Sequence, residues 1–249
     1  WYASLPGLRY ETRRALREQI GTADEIFRAP PESIYRCCAT NAEAQTLLEH
    51  DLTQAERIIA RCEEENTDIL TVQDAGYPAR LRNIPDPPDV LYIRGRLPDM
   101  DSEAAVAIVG TRSCTPYGEQ VSRNLGYGVA ACGGLVVTGL AGGCDSAAAH
   151  GALMAGGRVV GVLGTAINEV YPAYNRELFD DVAAMGALIS EYPPDTQGNA
   201  RFFPIRNRII AALSLAVVVT EAPRHSGALI TAKRALDYGR DVFAVPGNV

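Results

Sequence analysis

The sequence has no apolar run long enough to cross a lipid bilayer, and even residues 213–219 have only the length of one strand. No secretory signal peptide is visible, although the chain opens on Trp1 rather than on Met, so we expect a cytoplasmic protein with no membrane partner. The six cysteines form no C-x-x-C pair, and the three histidines are scattered, so no zinc-binding spacing appears. We therefore expect reduced thiols and no bound metal.

Two motifs of common nucleotide and hydrolytic enzymes are also missing. No G-x-G-x-x-G follows the strand expected at 104–109, which argues against NAD binding of the usual kind, and we expect no cofactor. No Ser or Cys stands in a recognisable nucleophile elbow, so Asp145 and His150 do not by themselves indicate hydrolysis. Asp145 fits ordinary stabilisation of a helix start, and His150 fits a packed position.

The net charge of −7 argues against a generally basic nucleic-acid binder. Residues 201–240 reverse this sign locally, with seven basic residues against two acidic ones. Screening limits the reach of a charge to about 8–10 Å, so a local patch is what a polyanion meets. On charge alone, the patch also fits ordinary solvation of surface helices.

The pattern of apolar residues divides the chain into three parts. Residues 1–67 predict a small bundle of short helices, two of them with capping boxes that begin at Thr22 and Thr53. Residues 68–101 contain several prolines and predict a linker or extension, with a short strand, packed on the main domain. From residue 102 to 249, strands alternate with helices, which predicts an α/β fold with a doubly wound parallel sheet.

Ligands of such sheets bind beyond the carboxyl ends of the strands, so the elements locate the candidate loops. The expected strands are 104–109, 135–138, 159–163, 187–191, 215–220 and 241–245. The expected helices are 117–132, 146–155, 175–185, 207–214 and 227–238. Loops with ligand-type chemistry follow the strands at 110–112, 138–143, 164–165, 191–193 and 221–227.

The loops after the first two strands of the main domain have the composition of phosphate-binding loops. The first carries Gly110, Thr111 and Arg112, and the second spans residues 138–143 before an Ala-rich helix. Glycine lets backbone amides approach a ligand, and amides at a helix N-terminus favour an anion. We expect a phosphate-bearing ligand that is held rather than transformed. Arg112 also fits a structural cap or ion pair, and the glycines also fit a tight turn.

A second basic element follows Pro204. Residues 206–208 (Arg-Asn-Arg) are expected in the first turn of a helix, where cations oppose the macrodipole unless an anion arrives. The preceding Phe202 and Phe203 have the chemistry to stack on bases, although Phe203 equally fits a hydrophobic staple. Residues 226–227 (Ser-Gly) begin a further helix with small side chains, which suits backbone contact with phosphate.

Short motifs follow one another in order along residues 68–249: Gly-Thr-Arg112, Gly139-Leu-Ala-Gly-Gly-Cys-Asp145, Tyr171-Pro-x-x-Asn175, Ser190-Glu-Tyr-Pro193, Phe203-Pro-x-Arg-Asn-Arg, Ser226-Gly-Ala-Leu-Ile-Thr-Ala232 and Val242-Phe-Ala-Val-Pro-Gly247. Together they resemble the DNA-processing protein DprA (Smf) family, and residues 8–65 resemble its N-terminal helical, SAM-like domain less specifically. The resemblance implies a Rossmann-like fold and a bacterial, cytosolic, non-enzymatic protein. It also implies a protein that binds and protects single-stranded DNA and loads the RecA recombinase onto it during natural transformation.

The resemblance implies roles only at matching positions. Arg112 matches a strand-end arginine that contacts DNA phosphate, the loop from Gly139 matches a wall of the same pocket, and residues 206–208 match its basic helix start. Ala173 stands where many relatives carry a basic residue, so that contact is lost or moves to Arg176. The expected DNA-binding residues are Gly110, Thr111, Arg112, Gly139, Leu140, Ala141, Gly142, Phe203, Arg206, Asn207, Arg208, Ser226 and Gly227. No catalytic residue is expected, and alanine at 112 or 206 is expected to cost little stability.

Two other functions stay open, and so does the oligomeric state. Phosphoribohydrolases of the same superfamily carry Pro-Gly-Gly-x-Gly-Thr-x-x-Glu at a helix start, whereas residues 224–233 lack the double glycine and the glutamate. A pure protein scaffold would have no affinity for DNA. The family continues past Val-Pro-Gly with a segment used in self-association. We therefore expect a homodimer for a longer chain and weak or no dimerisation for one that ends at Val249.

Overall fold

The computed structural model describes residues 1–247 and contains two compact units, which begin at Trp1 and at Cys62. Asn248 and Val249 lie outside the described residues, and so does the expectation about dimerisation of a chain that ends at Val249. The helices of the first unit, the last of which continues into the second, are a 3-10 turn at Tyr2–Ser4, α1 Tyr10–Gln19, α2 Ala23–Arg28, α3 Pro31–Cys37, α4 Asn41–Leu48 and α5 Thr53–Glu64. That residues 1–67 form an independent SAM-like domain stays a prediction.

Capping explains where two of these short helices begin. The capping box at Thr22 is confirmed, because its side chain and that of Glu25 exchange hydrogen bonds with each other's backbone amides. The box expected at Thr53 is wrong, because Thr53 is already the first residue of α5 and Asp51 accepts its amide at 2.9 Å. A box forms instead at Thr40, before α4.

The second unit is built on an eight-stranded sheet with the order β1-β2-β6-β5-β4-β3-β7-β8. Its strands are β1 Asp68–Thr71, β2 Val90–Gly95, β3 Ala105–Val109, β4 Leu135–Thr138, β5 Val159–Val162, β6 Ala187–Ser190, β7 Ala216–Val219 and β8 Asp241–Ala244. The strands from β3 to β8 are parallel to one another, as the alternation of strands and helices predicted. The segment expected as a linker or extension supplies β1 and β2, which add to one edge as antiparallel strands.

The helices of the second unit form two groups. They are α6 Ala79–Arg82, α7 Pro116–Ala131, α8 Cys144–Met154, a 3-10 turn at Ala173–Asn175, α9 Arg176–Met185, α10 Phe202–Leu213 and α11 Gly227–Asp237. The chain runs from β3 to β6 in one direction across the sheet and from β3 to β8 in the other. Right-handed crossovers therefore place α7, α8 and α9 on one face and α10 and α11 on the other.

The strand order reverses between β3 and β7, which creates a topological switch point. Loops that leave the carboxyl ends of these two strands run to opposite faces of the sheet and open a crevice between them. The core beneath this crevice is apolar, with Ile108, Val137 and Val217 fully buried in neighbouring strands. The fold therefore provides a ligand-sized opening at the edge that the sequence indicated.

Candidate functional site

A cavity of about 380 Å³ lies at the switch point between β3 and β7. The loop after β3, the loop after β7 and the first half of α10 form its walls. This volume is in the range of small-ligand sites, and the position is the one at which doubly wound sheets bind ligands. The residues expected at the site that do line it are Gly110, Thr111, Arg112, Ala141, Phe203, Arg206, Asn207, Ser226 and Gly227.

The glycine loops were expected to bind the anion of a ligand, but the carboxylate of Asp145 accepts their amides instead. This carboxylate accepts the amide of Gly110 at 3.2 Å and the amide of Ala141 at 3.5 Å. The amide of Thr111 is also occupied, because it donates to the carbonyl of Glu221 at 2.7 Å. These amides are therefore not free to donate to a phosphate in the cavity. The backbone phosphate cradle expected at residues 110–111 is therefore closed by the protein's own acceptors.

Arg206 lies on the inner side of α10 and only 3% of its surface is exposed. Its Nη1 donates to the carbonyl of Gly139 at 2.7 Å and to the carbonyl of Val162, which are the carboxyl ends of β4 and β5. A side chain on Gly139 would press on both Arg206 and Asp145, since a Cβ there would lie 2.6 Å from the Asp145 carboxylate. The close approach of these groups requires glycine.

The electrostatics of this buried pair follow from desolvation. Burial lowers the pKa of Arg206 to about 10, although the attraction of Asp145 opposes the shift. Burial also raises the pKa of the Asp145 carboxyl, against the pull of Arg206 and of the amides that it accepts. Arg206 stays charged at neutral pH, while its Nε has no hydrogen-bond partner within residues 1–247.

The expectation that the Arg-Asn-Arg sequence stands in the first turn of a helix is wrong. Helix α10 begins at Phe202, and it accommodates Pro204 at its third position, where a missing N–H leaves no intrahelical bond unmade. Arg206 and Arg208 therefore fall one turn later and are buried. For the same reason, an alanine at position 206 is not the mild change that the sequence suggested.

Arg208 is bound to carboxylates and lies outside the cavity lining. It holds Glu191, the residue after β6, through two parallel hydrogen bonds of 2.8 and 2.7 Å, and its Nε lies 3.3 Å from Asp86. Burial disfavours the charged guanidinium, but Glu191 outweighs that effect and raises the pKa of Arg208. We assign Arg208 to the fold, where it closes the carboxyl end of β6.

Arg112 differs from both of these arginines because it is exposed. Its guanidinium carbon lies 4.6 Å from the ring centroid of Phe203 and 5.7 Å from that of Tyr171. The two rings pack on each other, with centroids 5.2 Å apart. No carboxylate among residues 1–247 comes within ion-pairing distance of Arg112. Cation–π contacts hold the side chain in place and leave its hydrogen-bond donors open.

Of the remaining aromatic and glycine residues, some line the cavity wall and others support it from outside. Phe202 stacks on Tyr192, with centroids 3.9 Å apart, so only Phe203 of the pair reaches the cavity. Leu140 is fully buried at a positive φ of 51°, and Gly142, with φ of 93°, lies beside Tyr174. Together with Gly139, these two residues shape the loop without lining the cavity.

Helix α11 begins at the opposite wall of the cavity. The Ser226 hydroxyl caps it by accepting the amide of Ala228 at 3.3 Å. The amide side chain of Asn207 donates to the carbonyl of Gly227 at 3.0 Å and ties α10 to this helix start. Ser226 and Gly227 are therefore held at the cavity, as the sequence indicated.

Sequence reasoning missed three residues that organise the site. The sequence indicated only ordinary stabilisation of a helix start for Asp145, although it engages two loops. It placed Glu191 in a candidate ligand loop, although this residue is the partner of Arg208. Asn175, which is buried, donates to the carbonyl of Leu140 and fixes the glycine loop. The available signal was position, because Asp145 and Glu191 are acidic residues close after buried strands that face a basic helix.

The chemistry of the cavity favours holding an anion over acid–base catalysis. Asp145 is the one carboxylate in its lining among the described residues, and its oxygens accept backbone amides. Across the same residues, no cluster of three His, Cys, Asp or Glu side chains has the geometry to hold a metal ion. Over residues 1–247 no helix combines the length and apolarity needed to cross a membrane.

Comparison with known proteins gives one consistent result. The family model for DNA recombination-mediator protein A matches residues 68–249. The chain is 45% identical over 189 residues to Protein Smf of Synechocystis sp., and 39% identical over 193 residues to the DNA processing protein DprA of Bacillus subtilis. These alignments cover 75% and 78% of this chain but 48% and 65% of the two relatives. The chain thus spans about half to two thirds of the length of the curated relatives that it matches.

Solved structures agree with this result. The crystal structure of DNA processing protein A from Streptococcus pneumoniae superposes with a TM-score of 0.85 at 32% identity, over 99% of this chain and 85% of that one. A structure of DNA processing protein A from Helicobacter pylori superposes with a TM-score of 0.67 at 30% identity, over 74% and 82% of the two chains. The latter was described for its single-stranded DNA binding mode.

Proposed function

Because this chain belongs to the DNA recombination-mediator protein A (DprA/Smf) family, we propose that it binds single-stranded DNA in the cavity between β3 and β7. The observation that carries the proposal is Arg112, an exposed guanidinium held by two aromatic rings at the mouth of this cavity with no carboxylate partner among the described residues. Such a group is available to a phosphate. The single-stranded DNA binding mode described for the Helicobacter pylori relative supports the same ligand.

The roles of the wall residues follow from their contacts. Arg112 holds a phosphate, Phe203 orients that guanidinium, and Ser226 and Gly227 present the start of α11 to the strand from the other side. Arg206 supports the site from behind through Asp145 and Gly139. Phosphate contacts carry no base information, so binding is expected without strong sequence preference.

Fluorescence anisotropy with labelled oligonucleotides over a salt series tests this function. Single strands are expected to bind more tightly than duplex, and log affinity is expected to fall with log salt by about 0.7 per phosphate neutralised. Arg123→Ala is a matched control, because this partly exposed arginine on α7 pairs with Glu119 outside the cavity. Equal or tighter binding of duplex at all salt concentrations contradicts the proposal.

We further propose that the protein protects single-stranded DNA in the bacterial cytoplasm and loads the RecA recombinase onto it, as a mediator of recombination. The family description supports the recombination role. RecA as the partner is proposed, because the chain spans only part of its relatives. A lag-phase measurement tests it: the protein should shorten the lag of RecA ATPase on DNA coated with single-strand-binding protein. An unchanged lag, with DNA binding intact, limits the function to binding.

We also propose that the protein is a binder rather than an enzyme, and that a chain carrying the family's self-association segment forms a homodimer. Asp145, the carboxylate in the described lining, is buried among amide donors and so lacks the access that a general acid or base needs. Incubation with AMP should release no adenine, and steady release of free base would favour a phosphoribohydrolase. Light scattering at several concentrations tests self-association, for which the expected result is a dimer of a chain that carries that segment.

A further inference from the structure

The 3-10 turn at Ala173–Asn175 stands beside the cavity and is firmly anchored. Asn175 is buried, and its amide nitrogen donates to the carbonyl of Leu140 at 3.3 Å and to the hydroxyl of Ser146 at 2.8 Å. The turn is therefore tied to the glycine loop and to α8 at once. Any side chain on it has a fixed base from which to contact a ligand.

Tyr174, on this turn, is the most exposed of the large apolar side chains in residues 1–247, with 76% of its surface accessible. The hydroxyl end of its side chain lies over Gly142, since a Cβ on that glycine would be 2.6 Å from the Tyr174 Oη. Within the described chain no other aromatic ring or cation packs on it. Tyrosine ordinarily buries its ring body and keeps only the hydroxyl wet, so this placement leaves a large apolar area unused.

Tyr174 is also continuous with the group that would hold phosphate. Tyr171, three residues earlier, packs on Phe203 and under the Arg112 guanidinium. Gly142, which lies under Tyr174, is the neighbour of Ala141 in the cavity wall. Arg112 thus contacts Tyr171, and Tyr174, three residues further along the chain, lies over the glycine next to the cavity wall. A polyanion anchored at Arg112 that leaves on this side meets the open Tyr174 ring next.

We propose that Tyr174 is a stacking platform for one base of the bound single strand, adjacent to the nucleotide whose phosphate Arg112 holds. The inference rests on the proposed function, and it adds a nucleobase subsite to it. Bases stack on aromatic rings whatever their identity, because every base has a π-face. Tyr174 thereby contributes affinity, and selectivity for unpaired strands, without reading sequence.

The test compares Tyr174→Leu with Tyr174→Phe in oligonucleotide binding. Leucine keeps apolar bulk but removes the ring, and it is expected to weaken binding by about 5- to 150-fold, the range for loss of one stacked base. Phenylalanine keeps the ring and is expected to bind within about twofold of the parent, while the salt dependence is unchanged in both variants because no phosphate contact is lost. Tyr127→Leu, a half-exposed tyrosine on α7 away from the cavity, is the matched control.

A second measurement separates stacking from a general effect on the surface. 2-Aminopurine is placed at each position of a short oligonucleotide in turn, and its fluorescence should be quenched at one register by the parent and by Tyr174→Phe but not by Tyr174→Leu. An oligonucleotide abasic at that position should bind the parent and the leucine variant equally. If the parent binds single strands and Tyr174→Leu binds as tightly with the same quenching, the platform is wrong and the Arg112 site stands. If the parent does not bind single strands, the proposed function itself fails.

Discussion

Arg112 and Arg208 look alike in the sequence, as arginines near the carboxyl edge of one sheet, but the structure gives them opposite surroundings. Arg208 is buried and bound by Glu191 and Asp86, while Arg112 is exposed, lies over two aromatic rings, and is reached by no carboxylate in the described part of the chain. Arg206 resembles Arg208, except that its acceptors are strand-end carbonyls.

The difference shows that the number of basic residues in a segment does not tell how many of them are free to bind a ligand. A guanidinium removed from water must find acceptors inside the protein, and each donor used in this way is lost to a ligand. An exposed guanidinium can stay without a partner at little cost. The excess of positive charge over residues 201–240 is therefore partly used within the fold, and Arg112, the exposed arginine of the cavity lining, lies outside that segment.

The largest expected effect is on stability, from Arg208→Met. This change leaves Glu191, which is one-quarter exposed, without its bidentate partner, and breaking a buried pair on one side costs about 3–5 kcal/mol of unfolding free energy. Urea denaturation measures it. The double variant with Glu191→Leu should recover much of the loss, and a single variant as stable as the parent would show that the pair is not needed by the fold.

Arg206→Met is expected to have the next largest effect. It removes the donor for the carbonyls of Gly139 and Val162, and a buried acceptor left without a partner costs about 1–3 kcal/mol. The cavity wall formed through Asp145 should loosen as well, so binding of single strands falls together with the denaturation midpoint. Loss of binding at full stability would instead make Arg206 a direct phosphate contact.

Arg112→Ala is expected to reverse the pattern. Affinity for single-stranded DNA should fall by about 1–3 kcal/mol, as for a lost charge-assisted hydrogen bond, while unfolding free energy stays within about 0.5 kcal/mol of the parent. Anisotropy and urea denaturation measure the two quantities on one preparation. Arg112→Lys keeps the charge but loses the planar fit over Phe203 and Tyr171, so it should fall in between. Unchanged binding by the alanine variant moves the site elsewhere.

Lys233→Ala should give the smallest effect. Lys233 is exposed on α11 in a shallow surface groove that also contains Ser226, the residue at the cavity wall. Short oligonucleotides are expected to bind as before. On longer ones the slope of log affinity against log salt should become less negative by about 0.7, because one phosphate contact is lost. The same slope at every length would confine the strand to the cavity.

Strands β4, β5 and β6 of the parallel half were accessible from sequence because they are fully buried and therefore read as unbroken apolar runs. Strand β4 at Leu135–Thr138 has the bounds that the pattern predicted, whereas β1, with two exposed and two partly buried residues, was missed. Helix α10 begins five residues before the predicted start, because proline in a first turn does not mark where that turn begins.

The site was accessible only in part, for a different reason. The loops of Gly110–Arg112 and Ser226–Gly227 come together because parallel strands all point their carboxyl ends to one edge, which is a property of the fold class. Whether an arginine there is free depends on single long-range partners, such as Glu191 for Arg208. Nothing in local composition encodes such a pair.

The pairing of β2 with β6 has a consequence for synthesis on the ribosome. Tyr92 meets Ser190 across the sheet, so about 100 residues must emerge before this register can form. At the usual pace of translation this takes about 5–20 s. Through that interval β2 has only β1 beside it, and a two-stranded ribbon is marginally stable in water and open to pairing with other chains. The nascent protein is therefore expected to depend on chaperones until the fourth parallel strand is made.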